Sequence, residues 1–293
     1  MPCVPLPRLS QASVPLTRSV QVTDEQGRTR LVRIPAERDL TIYLDREEVV
    51  TLMTLGSHPE WLVLGYLLNQ GLIESVAHIE SITVDWEVGA AGVRTHGAPA
   101  RAGARRRRVV TTGCGQGSMF ADLLDKLTPL PRDQSALNQA VLGAIVDTVR
   151  AQDTLYKTAG SVHACALFAA ERMLIFIEDV GRHNALDTIA GWLAYERARC
   201  KAPATRDAQD KSHASPVLYT TGRLTSEMII KSAQMGVAIV VSRSGTTDMA
   251  IEVAERCGVC AIGRALNRRF ICYTHPWRLA FASSPLAQST EPL

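Results

Sequence analysis

After residue 160 the chain repeats one pattern: a short apolar run, a turn built from Gly, Ser, Thr and Arg, then an amphipathic helical stretch. The runs are 172–177, 217–219 and 237–241. The turns are Glu178-Asp179-Val180-Gly181-Arg182-His183-Asn184, Thr220-Thr221-Gly222-Arg223 and Ser242-Arg243-Ser244-Gly245-Thr246-Thr247. Apolar strands without polar alternation are buried on both faces, and helices between them imply right-handed crossovers. The pattern predicts a largely parallel sheet in a three-layer α/β core.

Ahead of that core the signals are those of a smaller α+β unit. A strand is expected over 40–44, and Ser57-His58-Pro59-Glu60 has the spacing of a capping box. Trp61, Leu64 and Leu68 recur at helical spacing, and Gly71 can end the helix. Residues 81–88 alternate like a strand. Residues 89–108 are dense in Gly, Ala and Arg, which predicts an exposed loop or insertion. Leu137, Val141, Ile145 and Val149 form one helical stripe, read as core. The resulting division is a loose arm at 1–20, an α+β unit at 21–130, an α/β core at 131–280 and a tail at 281–293. Residues 201–215, poor in apolar side chains, are expected to be a surface loop.

Charge and cysteine content narrow the function classes. Thirty-two Lys plus Arg against 29 Asp plus Glu leave a net charge of +3, too small to argue for a nucleic-acid partner. The longest apolar runs, such as 235–241, fall far short of the roughly 20 residues of a membrane helix. The first twenty residues carry Pro2, Pro5, Pro7 and Pro15 and lack a continuous apolar stretch, so a cytoplasmic protein with no membrane partner is expected. Seven cysteines at irregular spacing suit reduced thiols.

Two features carry candidate chemistry. Each repeated turn contributes one Arg, at 182, 223 and 243, beside N–H groups that open a helix, an arrangement suited to anions. In open parallel sheets ligands gather at the carboxyl ends of strands, so the turns can converge on one phosphate-bearing molecule; ordinary capping is the competing reading. Arg264, Arg268 and Arg269 flank Asn267 as a fourth basic cluster. The second feature is Cys114, between Gly113 and Gly115, with Gly117 close by. No carboxylate lies between Glu87 and Asp122, whereas Arg94, Arg101 and Arg105, Arg106, Arg107 and Arg108 add six positive charges. Positive surroundings lower a thiol pKa and raise its thiolate fraction. The alternative is an inert loop cysteine under a solvated Arg run.

Other candidates are weaker. Cys257-Gly258-Val259-Cys260 lacks a second ligand pair at metal spacing, so Cys257 is expected to end a helix and Cys260 to begin a strand. Cys165 reads as core, and Cys3 and Cys200 as incidental. His163 and His183, near Glu178 and Asp179 in sequence, remain open to ligand contact or proton transfer. The zinc-deaminase pattern is not met: Ala164 and Cys165 follow His163, and Arg256 precedes Cys257. RNA binding through Arg105–Arg108 lacks interleaved aromatics.

At these motifs the chain resembles the FdhD family of formate dehydrogenase accessory sulfurtransferases. The likeness rests on Glu178 through Asp187, on Gly222-Arg223-Leu224-Thr225-Ser226-Glu227-Met228 and on Ser242-Arg243-Ser244. The helix over 61–71, Val162-His163-Ala164 and Arg269-Phe270-Ile271-Cys272-Tyr273-Thr274 extend it over roughly residues 35–280. The resemblance implies a cytidine-deaminase-like core without its catalytic zinc or any permanently bound metal, and a homodimer. It also implies sulfur transfer from a cysteine desulfurase, by way of a persulfide on Cys114, to Mo-bis(molybdopterin guanine dinucleotide) for formate dehydrogenase. The matching cofactor segment is Arg264, Ala265, Leu266, Asn267, Arg268 and Arg269, with Arg182, His183, Arg223 and Arg243 supporting phosphates or guanines in the same pocket. Gly117 stands where many members carry a second loop cysteine, so transfer rests on one thiol. Ser161 replaces a common Gly, and Arg264 a common aromatic. A non-catalytic chaperone for the same cofactor is the alternative function.

Overall fold

Two six-stranded sheets, each with its own apolar core, make up the protein in a computed structural model that describes residues 6–97, 108–110, 127–132, 136–201 and 215–281. In the first unit, β1 (Arg8–Leu9), β4 (Arg38–Leu44), β5 (Glu47–Thr54), β6 (Ile79–Asp85), β7 (Ala90–Thr95) and β8 (Arg108–Val110) are ordered β1-β6-β7-β4-β5-β8. The remaining pair, β2 (Thr17–Thr23) and β3 (Thr29–Pro35), forms a separate antiparallel hairpin. Helix α1 (Pro59–Asn69) lies on the first sheet, and Leu62, Val63 and Leu67 join Leu40, Ile42, Leu52, Ile82 and Val93 in its core.

Three expectations for this unit change. From Leu6 onward the amino-terminal residues do not form a loose arm: β1 pairs in parallel with β6, and Ser10 N donates to Ile82 O at 3.0 Å. The capping box is not made. His58 is the N-cap without a side-chain bond, while Glu60 accepts from Ser10 Oγ at 2.6 Å and Ala12 N at 2.9 Å, so the acid meant for the helix start ties down the arm. Residues 90–95 are no loop but β7, in mid-sheet with Ala91 and Val93 buried; the Gly and Ala content hid a short inward-facing alternation.

The second unit contains β9 (Leu137–Asn138), α2 (Gln139–Ala151), α3 (Leu155–Ala159), β10 (His163–Ala169), β11 (Arg172–Asp179), α4 (Arg182–Lys201), β12 (Pro216–Thr220), α5 (Ser226–Gln234), β13 (Ile239–Ser242), α6 (Asp248–Cys257), β14 (Cys260–Leu266), β15 (Arg269–Cys272) and β16 (Leu279–Ala280). Its sheet order is β11-β10-β12-β13-β14-β15. Helices α4, α5 and α6 cover one face, and α2 covers the other through Leu142, Ile145, Val146 and Val149. The three-layer α/β class therefore holds.

The sheet is mixed rather than largely parallel. Only Ala170-Glu171 connects β10 to β11, a link too short for a crossover, so the two strands must run antiparallel. Strand β10 then separates β11 from β12, and α4 crosses over it. Because β10 is antiparallel to both neighbours, β11, β12, β13 and β14 still share one direction and end at one edge.

The boundary at 130 also shifts. Leu127 and Leu130 pack on the second core, Leu130 N donates to Cys257 O at 2.9 Å, and buried Arg278 donates to Leu130 O and Pro131 O. Between the units, α1 crosses α4 with Gly65 against the backbone of Asp187 and Gly191 against that of Trp61. Ala194, Tyr195 and Ala198 on the far side of α4 complete the first core. Among the described residues no helix is long and apolar enough to cross a membrane. Residues 98–107, 202–214 and 282–293, on which the insertion, the surface loop and most of the tail were expected, lie outside the described residues.

Candidate functional site

The three Arg-bearing turns meet as one rim at the common strand edge. Gly222 packs against the side chain of Arg182, where any Cβ would come within 2.8 Å of Arg182 Cδ. Ser242 Oγ donates to Gly222 O at 2.7 Å, and Arg243 N donates to Thr220 O at 3.0 Å. Leu224 N bonds to Gly245 O, and Arg264 N donates to Ser244 O at 2.7 Å, which brings in the β14–β15 hairpin. The second turn, the third turn and the end of β14 thus place one another through hydrogen bonds, and the first turn joins them through side-chain packing.

The acids of the first turn are structural. Asp179 accepts from Thr54 Oγ1 at 2.5 Å, Leu55 N at 3.1 Å, Gly181 N at 3.1 Å and Asn184 Nδ2 at 3.0 Å, joining the end of β5 to the start of α4. Glu178 accepts from Leu155 N at 2.6 Å and Tyr156 N at 3.2 Å, and so seats α3 against the sheet.

That seating creates a cavity of about 570 Å³ between α2, α3 and the strand edge, whose lining includes Arg150, Lys157, His163, Tyr219, Arg243 and Leu266. Three cations in a partly apolar cavity suit an anionic ligand with a planar or apolar part. Arg150 and Lys157 are not among the candidates legible in the sequence, where 136–150 reads as core and the five residues of α3 are too few to show a helical period. The usable signal was Thr154, whose Oγ1 accepts from Lys157 N at 3.2 Å as an N-cap.

The candidate residues do not share one pocket. Arg243 and Leu266 line the large cavity. Asn267, Arg268 and Arg269 line an adjoining one of about 290 Å³ against the start of α2, and Arg150 Nη1 donates to Asn267 Oδ1 at 3.0 Å near the divide. Ala265 lines this smaller cavity as well; it is 1% exposed and also forms part of the core, because alternation along β14 turns it inward. Arg264 is exposed and left-handed at φ 52°, as is Ser161 at the same φ, a conformation glycine adopts freely.

Arg182, His183 and Arg223 form a third group beside the cavity, with His163 between it and Arg243. Burial, then the Arg182 and Arg223 guanidiniums, holds the His163 ring below its ordinary pKa. Burial, then Arg223, likewise lowers Arg182. Burial, then Lys231, pushes His183 down to about 3, so its imidazole is neutral at pH 7. Its Nδ1 lies 3.6 Å from Glu227 Oε1. Although burial opposes it, Lys231 holds the Glu227 carboxyl below its usual range. Lys231 Nζ reaches Glu227 at 3.1 Å and Asp187 Oδ2 at 2.9 Å, and Asp187 also accepts from Asn69 Nδ2 at 2.7 Å. Among the buried side-chain atoms without a protein hydrogen-bond partner are Arg182 Nε, His183 Nδ1 and Thr225 Oγ1, all at this rim. They are donors and acceptors available to a ligand.

Cys114, Gly113, Gly115, Gly117, Arg101 and Arg105–Arg107 lie outside the described residues. Arg94 Nη1 lies 4.0 Å from Glu80 Oε1, which Arg8 Nη2 also meets at 2.7 Å, so one of the six arginines assigned to the thiol's surroundings shares a carboxylate. Strand β8 runs parallel to β5 with Val110 opposite Leu52, toward the Thr54–Asp179 seam, and Cys114 follows four residues later in sequence. Cys165 and Cys257 are buried, and Cys257 ends α6 ahead of left-handed Gly258.

Comparison with known proteins bears on the whole of this arrangement. Residues 35–280 match the model of the FdhD/NarQ family. The sulfur carrier protein FdhD of Bacillus subtilis (strain 168) is 32% identical over 259 residues, covering 87% of this chain and 94% of that protein. Its namesake from Bacillus pumilus (strain SAFR-032) is 29% identical over 261 residues, covering 88% and 95%. A crystal structure of a candidate formate dehydrogenase accessory protein from Desulfotalea psychrophila superposes with a TM-score of 0.70 at 23% identity, covering 91% of this chain and all of that one, and so shares the fold. With most of the first unit and almost all of the second inside the matched span, the chain belongs to the FdhD/NarQ family.

Proposed function

We propose that this protein is a sulfur carrier that supports formate dehydrogenase, with Cys114 as the carrying thiol. The Cys114 thiolate attacks the terminal sulfur of a cysteine desulfurase persulfide. The S–S bond of the donor breaks, the desulfurase cysteine leaves as thiolate, and Cys114 becomes Cys–S–SH. The terminal sulfur would then pass to the molybdenum of Mo-bis(molybdopterin guanine dinucleotide), which is substrate here rather than resident cofactor: the S–S bond on Cys114 breaks, Cys114 leaves as thiolate, and the sulfur becomes sulfide with two electrons taken from the reduced metal. Arg150, Lys157 and Arg243 hold phosphate groups, neutral His163 offers a hydrogen bond without adding charge, and the Arg182–Arg223 group takes further anionic oxygens.

The observation that carries the reading is the convergence of three Arg-bearing turns on one edge, over a cavity of about 570 Å³ with cations on its wall. Family membership adds the sulfur chemistry for which the relatives are named. The test is intact mass after incubation with a cysteine desulfurase and cysteine. The expected result is a gain of about 32 Da, one sulfur, in the wild type and none in Cys114→Ala. Guanine-nucleotide binding with no mass gain in the wild type would instead support a chaperone that carries the cofactor without sulfur, the reading that Gly117 in place of a second loop thiol favours.

A further inference from the structure

Away from the rim, two thiols that neither the sulfur-carrier reading nor the core needs as thiols lie in contact. Cys260 opens β14 and is buried; Cys272 ends β15 and is half-buried; their Sγ atoms are 3.7 Å apart. Ile262 stands opposite Cys272, so Cys260 is its diagonal neighbour on the same face of the hairpin. Cys272 Sγ also donates to Thr274 O at 3.3 Å, which keeps the sulfur beside its partner. The contact with Cys260 draws the Cys272 thiol below its ordinary range and pushes Cys260 above it, so Cys272 is the more readily ionised and the more accessible of the two. Cys257, the other half of the sequence's CxxC, is a free thiol buried at the end of α6.

We infer that Cys260 and Cys272 are a reactive dithiol that closes to a disulfide on meeting a low-molecular-weight disulfide such as oxidised glutathione. The Cys272 thiolate attacks one glutathione sulfur, and the first glutathione leaves as thiolate. Cys260, losing its proton to solvent, attacks the Cys272 sulfur of the mixed disulfide and expels the second glutathione. Two protein thiols are oxidised by two electrons, and one glutathione disulfide is reduced to two thiols. A bond of about 2.05 Å needs the sulfurs to approach by less than 2 Å, within the reach of χ1 rotation and small strand shifts. The bond would staple the root of the hairpin whose tip carries Arg264, Asn267, Arg268 and Arg269, cross-linking β14 to β15.

The test is native incubation of the full chain with oxidised glutathione, alkylation of remaining thiols, tryptic digestion and mass spectrometry. The expected result is a cross-linked pair of peptides, 257–264 with 270–278, lighter than their sum by about 2 Da and separated by dithiothreitol. In Cys260→Ser the resolving thiol is gone, and Cys272 should accumulate a stable glutathione adduct of about 305 Da, whereas Cys257→Ser should leave the cross-link unchanged. A wild type whose Cys272 stays alkylatable, holds glutathione as stably as Cys260→Ser does, or pairs with Cys257 would overturn the inference. Because the wild type itself carries the decisive reading, a poorly folding variant does not rescue the idea.

Discussion

His183 shows how a single side chain is changed by where the fold puts it. As a sequence letter it is a histidine that titrates near neutrality; in the protein, burial and Lys231 push it down to about 3. Between about 3 and 6.5 the unfolded chain holds a proton on this ring that the native state refuses, so the group favours unfolding as pH falls through that window. Full stability from this source is present above about 6.5. The wild type is therefore expected to lose about 2–4 kcal/mol more than His183→Gln between pH 6.5 and 4 by urea denaturation. Burial pushes the Asp179 and Asp187 carboxyls up, which acts with the opposite sign, but both acids are present in each protein and cancel in the difference. Parallel curves would remove His183 as a source of pH dependence. The same scale explains why Glu178 and Asp179, close to the histidines in sequence, do not serve them: their oxygens are taken by backbone and side-chain donors at the end of β5, in α3 and at the start of α4.

At the scale of elements, helix contact decides which glycines matter. Gly65 on α1 and Gly191 on α4 let the two backbones touch, so a methyl at either would meet a main-chain carbonyl that cannot move alone. Gly65→Ala or Gly191→Ala is expected to cost more than about 2 kcal/mol, read as a lower urea midpoint. Gly143 on α2 has open space where a Cβ would stand, and Gly143→Ala should stabilise by about 0.5–1 kcal/mol through better helix propensity, read as a higher midpoint. If both classes of substitution shifted stability alike, the close crossing would not be the constraint. The strand edge follows a parallel logic: the turns after β12 and β13 bond to each other, and the turn after β11 joins them through the packing of Arg182 on Gly222. Those residue types were legible in sequence, but the partners were not.

Across the whole molecule, one carboxylate joins the two units. Asp179 at the end of β11 takes hydrogen bonds from Thr54 and Leu55 of the first unit and from Gly181 and Asn184 of the second. Asp179→Ala removes the acceptor of Thr54 Oγ1, Leu55 N and Gly181 N, while Asn184 Nδ2 keeps Met53 O, and should cost about 3 kcal/mol or more, with far-UV circular dichroism and tryptophan fluorescence still reporting one shared transition. Separate transitions in the wild type would mean that the seam does not couple the cores. How far the sequence reached follows from the range of each interaction. Periodicity and turn chemistry are local, so the α/β class, the three strand-to-turn-to-helix units, α1, α2 and the place of Gly258 after α6 could be read from neighbours a few residues apart. Tertiary structure alone decided that β10 enters the sheet antiparallel between β11 and β12, that Glu60 serves the amino-terminal strand instead of its own helix, and that Ala90–Thr95 is a central strand. It also decided that Arg150 and Lys157 add their charges to the cavity wall beside Arg243, and that Ala265, Asn267, Arg268 and Arg269 face a second, smaller cavity. Each of these depends on pairing across tens of residues, where an acceptor or an apolar neighbour acquires its identity only once the chain has brought it near.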